Sequence, residues 1–194
     1  MHNSDRLNLK NEIFRKLIHL LNLLIPISLH LFDRYLTITM LSFCTAFVIL
    51  IDISRKRNNF VLKFYNYFFK SVTRNFEHNQ LTGASYVAIG SLISIIIFPI
   101  ESATAGLLIV SISDTSAALV GKTIGRTRFF NKTLEGSFAF FFSSAIILSF
   151  FNSYSIWKII LISFATSIAE CTASPKINDN LIIPILVSFM AYYI

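Results

Sequence analysis

Between Ser111 and Gly136 the chain reads SISDTSAALVGKTIGRTRFFNKTLEG, a stretch rich in the residue types that bind polyphosphates. Asp114 lies seven residues before Gly121, where an apolar run ends. At a helical rise of about 1.5 Å per residue it sits on the order of 10 Å inside that helix end. A carboxylate at such depth in an apolar layer costs roughly 2.5–3.5 kcal/mol unless a cation, a metal ion or a watery cavity meets it. The sequence therefore predicts a partner for Asp114. Beyond the helix end come Lys122, Arg126, Arg128 and Lys132, whose clustered cations suit phosphate oxygens through several charge-assisted hydrogen bonds at once. Basic residues alone would equally suit an ordinary cytoplasmic loop. The acids among and beyond them, Asp114, Glu135 and, in a later loop, Asp179, are hard oxygen ligands of the kind that hold Mg²⁺ against a nucleotide's phosphates.

Smaller groups point to the same face. Arg15, Lys16 and His19 open the first apolar run, and Arg15 and His19, four apart, share a helix face near headgroup depth. Glu170 closes one apolar run and Asp179-Asn180 opens the next, with Asn178 before and Pro184 after. A helix dipole favours an acid at a helix start whatever its function, so Asp179 also has a purely structural reading. Ser111, Thr115, Ala118 and Gly121 form a small-residue stripe that permits close helix approach. The string Gly121-Lys122-Thr123 is not a Walker-type loop, because the motif's first glycine falls at Ser116 and no strand precedes it. Asn131-Lys132-Thr133 matches a glycosylation sequon, but the topology below makes it cytoplasmic and the match fortuitous. Cys44 and Cys171 have no metal-ligand spacing and read as packing residues.

The elements that must position these groups are membrane helices. Hydrophobic residues make up 54% of the 194, only 14% are charged, and the mean hydropathy is +0.64. A soluble domain keeps about a quarter of its residues charged. Apolar stretches cover residues 17–32, 36–53, 84–100, 102–120, 137–151, 156–169 and 181–194, each near the roughly 20 residues that a bilayer span needs. The expectation is an all-α polytopic bundle of about seven transmembrane helices in one domain, residues 1–194, with local thinning or burial accommodating the shorter spans. The first run follows a basic leader but contains His19, Asn22 and Pro26 and lacks a small-residue cleavage site, so it reads as a retained helix. With seven spans, fifteen of the seventeen Lys and Arg residues fall on the N-terminal side, leaving Arg34 and Lys158 opposite. The positive-inside rule makes that side cytoplasmic and puts the C-terminus outside. The membrane would be the plasma membrane of a bacterium, or otherwise the endoplasmic reticulum or another organelle membrane. All acids except Asp33 and Glu101 gather on the cytoplasmic side too, which a rule about Lys and Arg does not explain.

Between the second and third spans, Phe60, Phe64, Phe68, Val72 and Phe76 recur every four residues while Lys63, Lys70 and Arg74 take another face. That pattern predicts an interfacial amphipathic helix lying in the headgroup plane. It reads either as an anchored connector or as a wall for lateral access of a lipid substrate.

Taken together, the motifs resemble those of the CTP-dependent lipid kinase family, which includes dolichol kinase, phytol kinase and the yeast-type diacylglycerol kinase. Four matches occur in the family's order, spanning nearly the whole chain. Arg15-Lys16-x-x-His19 stands at the first span, and Glu77 with Leu81-Thr82-Gly83-Ala84-x-Tyr86 enters the third. Asp114-Thr115 leads through to Lys132-Thr133-Leu134-Glu135-Gly136, the most specific block, and Asp179-Asn180-Leu181-x-x-Pro184 opens the last. The resemblance implies that CTP gives its γ-phosphoryl group to a membrane lipid alcohol (diacylglycerol, phytol or a polyprenol such as dolichol) at the cytoplasmic face, with Mg²⁺ or another divalent cation. It implies that Lys132, with Lys122, Arg126, Arg128 and Asn180, holds the nucleotide, and that Glu135 and Asp179 hold the metal. Asp114 would orient or deprotonate the lipid hydroxyl, or serve as a metal ligand itself. Arg15, Lys16, His19, Glu77 and Thr82 are expected to support the site. The expected partners are the bilayer and the lipid alcohol; nucleic acid is not.

Phosphatidate cytidylyltransferase, which makes CDP-diacylglycerol, has a similar Gly-Lys/Arg…Lys-Thr-x-Glu-Gly block. Its Lys-Asp, His-Gly-Gly and Asp-Arg-x-Asp continuation is absent where this chain carries Asp179-Asn180-Leu181, which favours phosphoryl over cytidylyl transfer. A transporter would place ionisable groups near the midplane of broken helices, often in repeated halves, and no repeat is visible. A scaffold has little use for Asp114 in the membrane beside a loop of mixed charge.

Overall fold

The computed structural model describes residues 8–78, 80–130, 132–173 and 178–194. Arg6 and Lys176 of the charge distribution and Asn131 of the sequon lie outside the described residues. The described chain is all-α apart from one short hairpin. α1 (Leu9–Leu20) and α2 (Leu24–Leu31) are joined by a 3-10 turn, and are followed by α3 (Arg34–Arg57), α4 (Asn59–Phe69) and α5 (Gly83–Ile97). α6 (Ile100–Leu108) and α7 (Asp114–Thr123) are two parts of one helix, after which β1 (Arg128–Phe129) pairs antiparallel with β2 (Lys132–Thr133). α8 (Leu134–Ser149), α9 (Ile156–Thr172) and α10 (Asp179–Tyr193) complete the order.

Each apolar run of the sequence falls largely in one of these helical stretches, the third running past the break at Phe98 and Pro99 to the start of α6. Three of them, Leu9–Leu31, Arg34–Arg57 and Ile100–Thr123, are long and apolar enough to cross a membrane. α5, α8, α9 and α10 are 15 to 17 residues long, so at about 1.5 Å per residue they fall short of a hydrocarbon core of about 30 Å. The interfacial segment forms helix only over Asn59–Phe69; a turn and a 3-10 segment, Asn75–His78, follow it. Phe60, Phe64 and Phe68 are exposed along that helix, whereas Val72, beyond its end, is buried.

The distribution of side chains is that of a membrane protein. Large apolar residues face outward, among them Phe43, Phe47, Leu24 and Trp157, while Ser85, Ser111, Ser144, Ser163 and Thr166 are fully buried between helices. Apolar surround outside and small residues at helix contacts are what lipid as solvent selects. α10 runs through the middle against α5 and α6. A Cβ at Gly90 would meet the Leu181 carbonyl at 2.8 Å, and one at Gly106 the Pro184 carbonyl at 2.5 Å, so both helices can approach α10 only at glycine. Around this contact the apolar core gathers Ile109, Val110, Phe140, Leu148, Ile183 and Val187.

Candidate functional site

α6 and α7 join through a π-turn, Ile109–Ser113, an irregularity frequent at functional sites. Asp114 is the first residue after it. α1 packs alongside, and its Lys16 ammonium donates to Asp114 Oδ2. His19 Nε2 lies 3.3 Å from the same oxygen and 2.8 Å from the Val110 carbonyl within the π-turn. Asn22 Nδ2 is 3.3 Å from His19 Nδ1, so the ring's contacts fit a neutral imidazole with its proton on Nε2. The partner that the sequence requires for Asp114 is thus Lys16, and the pair is almost wholly enclosed.

A second group abuts the first. Lys132, on β2, places its ammonium 2.7 Å from Glu170 Oε1 and 2.9 Å from Asp179 Oδ2. Glu170 comes from the last turn of α9 and Asp179 begins α10, where Asn178 caps the helix by accepting from the Asn180 N–H. Carboxylate oxygens of Asp114, Glu170 and Asp179 all lie within 4.8 Å of one another. Three helices therefore deliver three acids to one point, and the two lysines reach it from α1 and the hairpin. Desolvation pushes the Lys132 ammonium toward lower pKa, but the Asp179 and Glu170 carboxylates outweigh it and hold it above the ordinary lysine range. Among the described residues, Glu170 Oε2 and Asn180 Oδ1 are buried without a hydrogen-bond partner. A buried oxygen left unmatched costs about 1–3 kcal/mol and asks for a ligand or an ordered water.

The loop between α7 and α8 is built by close approach. Thr133 caps α8 by accepting from the Gly136 N–H, and Gly121, Gly125 and Gly136 crowd its hydroxyl. A Cβ on any of the three would come within 2.7 to 3.0 Å of Thr133 Oγ1. Glu135 accepts from the Arg126 N–H at 3.0 Å and the Thr127 N–H at 3.1 Å, fixing the loop's path. Phe130 turns the hairpin at a φ of 50°, a left-handed conformation uncommon for a bulky residue. Arg126 and Arg128 are exposed and Lys122 is half-buried.

A second buried network adjoins the carboxylate group. Asp52 Oδ2 accepts from the Thr82 N–H at 2.7 Å, the Thr82 hydroxyl at 2.9 Å and the Ser85 hydroxyl at 2.7 Å, while Asp52 Oδ1 lies 2.9 Å from Arg55 Nε. Arg55 Nη2 donates to the Glu77 and Gln80 carbonyls, and its guanidinium stacks 4.6 Å above the Tyr65 ring. Glu77 accepts from the Arg74 and Gly83 N–H groups. Gly83 in turn abuts Asn180, whose Nδ2 would be 2.9 Å from a Cβ there. Arg15 pairs with Glu12 one turn before it. Arg74 is half-buried, has no ion pair among the described residues, and stands close enough for its charge to act on Glu12, Lys132 and Asp179.

Of the residues singled out in the sequence, Lys16, His19, Asp114, Lys132 and Asp179 come together, with Asn180 at their edge. Glu77 and Thr82 belong to the second network, and Glu135 to the loop backbone rather than to the carboxylate group. The sequence puts Glu170 on the same face without a role and assigns none to Arg74, Asp52 and Arg55. Glu170 carries the same signal as Asp114, a lone charge between Lys158 and Lys176 in an otherwise uncharged run. Nothing in the local sequence pairs Arg74 with distant acids.

No family model matches the sequence, and no solved structure matches the chain. An uncharacterized protein of Rickettsia prowazekii is 34% identical over 181 residues, covering 88% of each chain. An uncharacterized protein of Methanocaldococcus jannaschii is 30% identical over 183 residues, covering 92% of each. Dolichol kinase of Schizosaccharomyces pombe is 33% identical over 87 residues, which are 41% of this chain and 17% of the kinase.

Proposed function

This chain belongs to one family with the Rickettsia prowazekii and Methanocaldococcus jannaschii proteins, and we propose that it is a lipid kinase that uses CTP to phosphorylate a membrane lipid alcohol. The observation that carries the reading is the meeting of Asp114, Glu170 and Asp179 with Lys16 and Lys132 beside an unmatched carboxylate oxygen. The partial similarity to a dolichol kinase supports the reaction class. In this reading residues 1–194 act as one domain of seven crossings, the shorter helices being accommodated by burial and local thinning. The N-terminus and site are cytoplasmic, and α4 lies in the headgroup plane.

Phosphoryl transfer asks the protein for in-line placement and charge neutralisation rather than for a nucleophile. The lipid hydroxyl oxygen bonds to the γ-phosphorus as the bond to the β–γ bridging oxygen breaks; CDP leaves, and the hydroxyl proton passes to Asp114 or, where Asp114 ligates the metal, to solvent. Lys132 neutralises the triphosphate, joined by Lys122, Arg126, Arg128 and Arg74. The three carboxylates suit a hard divalent cation such as Mg²⁺, which takes oxygen ligands and neutralises developing charge on the phosphates. Glu170 takes the ligand position first expected of Glu135, which secures the basic loop. Asp114 either orients the lipid hydroxyl or ligates the metal, and its closeness to the other two acids favours the second role. Lys16 and His19 hold Asp114 in place.

Purified protein in lipid vesicles, supplied with CTP labelled at the γ or the α phosphate and with diacylglycerol, phytol, dolichol or phosphatidate, tests the reaction class. Label passing from the γ position alone to an alcohol supports the kinase reading. Label passing from the α position to phosphatidate identifies a cytidylyltransferase, and no transfer with any acceptor removes both.

A further inference from the structure

An apolar groove of about 230 Å³ runs along the seam of α8 and α9, beginning at the hairpin. Leu134, Phe138 and Phe141 of α8, Phe164 and Ile168 of α9, and Phe129 of β1 wall it. Small residues floor it, and their polar atoms are turned to one another. Ser137 Oγ lies 3.1 Å from Cys171 Sγ, and the Ser167 hydroxyl donates to the Ser137 carbonyl at 3.0 Å. The surface offered to an occupant is therefore hydrocarbon. From Leu134 to Phe141 the groove follows α8 for on the order of 10 Å.

Resting on the kinase reading above, we infer that this groove seats the hydrocarbon chain of the lipid alcohol. Two observations select that occupant. The first is lining: the walls are aromatic and aliphatic, no charged side chain among the described residues borders them, and Phe138, Phe164 and Ile168 are exposed on the outer face of the two helices, so a hydrocarbon chain can enter from the side. The second is continuity with the charged group. Leu134 is two residues from Lys132 and Cys171 is next to Glu170, so the groove's head end lies within about one helical turn of the Lys132–Glu170 pair. A molecule with an alkyl chain between α8 and α9 carries its polar end to the cation that would neutralise the transferred phosphate. Phe129 shares the hairpin with Lys132, so the same element closes the chain site and supplies the charge.

A long-chain alcohol bearing a diazirine partway along its chain, photolysed with the full-length protein in vesicles, tests the site directly. Adducts on Phe138, Phe141, Phe164 or Ile168 that are displaced by unlabelled long-chain alcohol but not by excess phosphatidylcholine are the expected result. Adducts elsewhere, or displacement by phosphatidylcholine alone, overturn it, the latter meaning a bulk-lipid contact. Labelling lost as the chain self-associates would assign the face to a second copy and also overturn it. In turnover, Ile168→Trp raises the KM for a long-chain alcohol about tenfold, the equivalent of 1.4 kcal/mol of binding. It leaves the KM for CTP and the turnover of a short-chain alcohol unchanged; equal losses on short and long alcohols contradict the groove. If wild-type protein transfers no γ-phosphate yet the labelling stays selective, the kinase reading fails and the chain site stands.

Discussion

Asp52 and Asp114 are both buried carboxylates in long helices that also carry cations, and their surroundings treat them differently. Both oxygens of Asp52 are taken up locally, one by Arg55 a turn away and the other by Thr82 and Ser85 at the start of α5. Asp114 draws its partners from α1 and stands within reach of two more acids from α9 and α10, one with an unmatched oxygen. The first arrangement ties a loop to a helix. The second holds more negative charge than its two lysines neutralise, with the basic loop at its edge. The difference teaches that burial of charge is not by itself the mark of a site; the convergence of several like charges from separate helices is.

Breaking the Asp114 side has the largest expected effect on stability. Lys16→Met leaves a buried carboxylate uncompensated and is expected to cost about 3–5 kcal/mol, read as a fall in the denaturation midpoint in detergent. The double variant Lys16→Met with Asp114→Leu recovers most of that stability and none of the γ-transfer activity; recovery of both would make the pair purely structural. Glu170→Gln sharpens the contrast in the other direction. It keeps the fold but lowers turnover about 100-fold and weakens the apparent Mg²⁺ affinity, measured by titrating activity with the ion.

On the Asp52 side the expected effect is of another kind. Asp52→Asn still accepts from Thr82 and Ser85 but leaves the buried Arg55 guanidinium without its counter-charge. It is expected to cost about 3 kcal/mol of stability, the lower end for a broken buried pair, while the KM for CTP in the folded fraction stays unchanged. A raised KM with unaltered stability would erase the distinction between the two carboxylates. Least of all, Arg126→Ala and Arg128→Ala remove exposed cations, each worth roughly 0.2–1 kcal/mol, and are expected to raise the KM for CTP less than about fivefold in a salt-dependent way.

Much of this arrangement is legible in the residue order. The depth of Asp114 demands a partner, and Lys16 and His19 enter the first helix at positions able to supply one. Apolar runs mark the helical stretches because hydropathy reports burial from water. It does not report how far each helix must reach, and among the described residues three stretches have the length of a span. The α4 periodicity continues to Phe76, but the helix stops at Phe69, because Val72 and Thr73 turn inward and the Thr73 hydroxyl meets Tyr65 at 2.9 Å. Glu135 and Glu170 show where local reading ends. Both are single acids near a helix end, and only the packing of α9 against α10 and the hairpin decides that Glu170 joins Asp114 while Glu135 turns to the loop.

The most direct measurement is the rate of γ-phosphoryl transfer from CTP to lipid alcohol by Asp114→Asn, Lys132→Ala and Asp52→Asn, at matched amounts of folded protein in the same vesicles. Losses of at least about 100-fold for the first two, with Asp52→Asn near the wild-type rate, are the predicted result. Wild-type rates from Asp114→Asn or Lys132→Ala would contradict the assignment of the site.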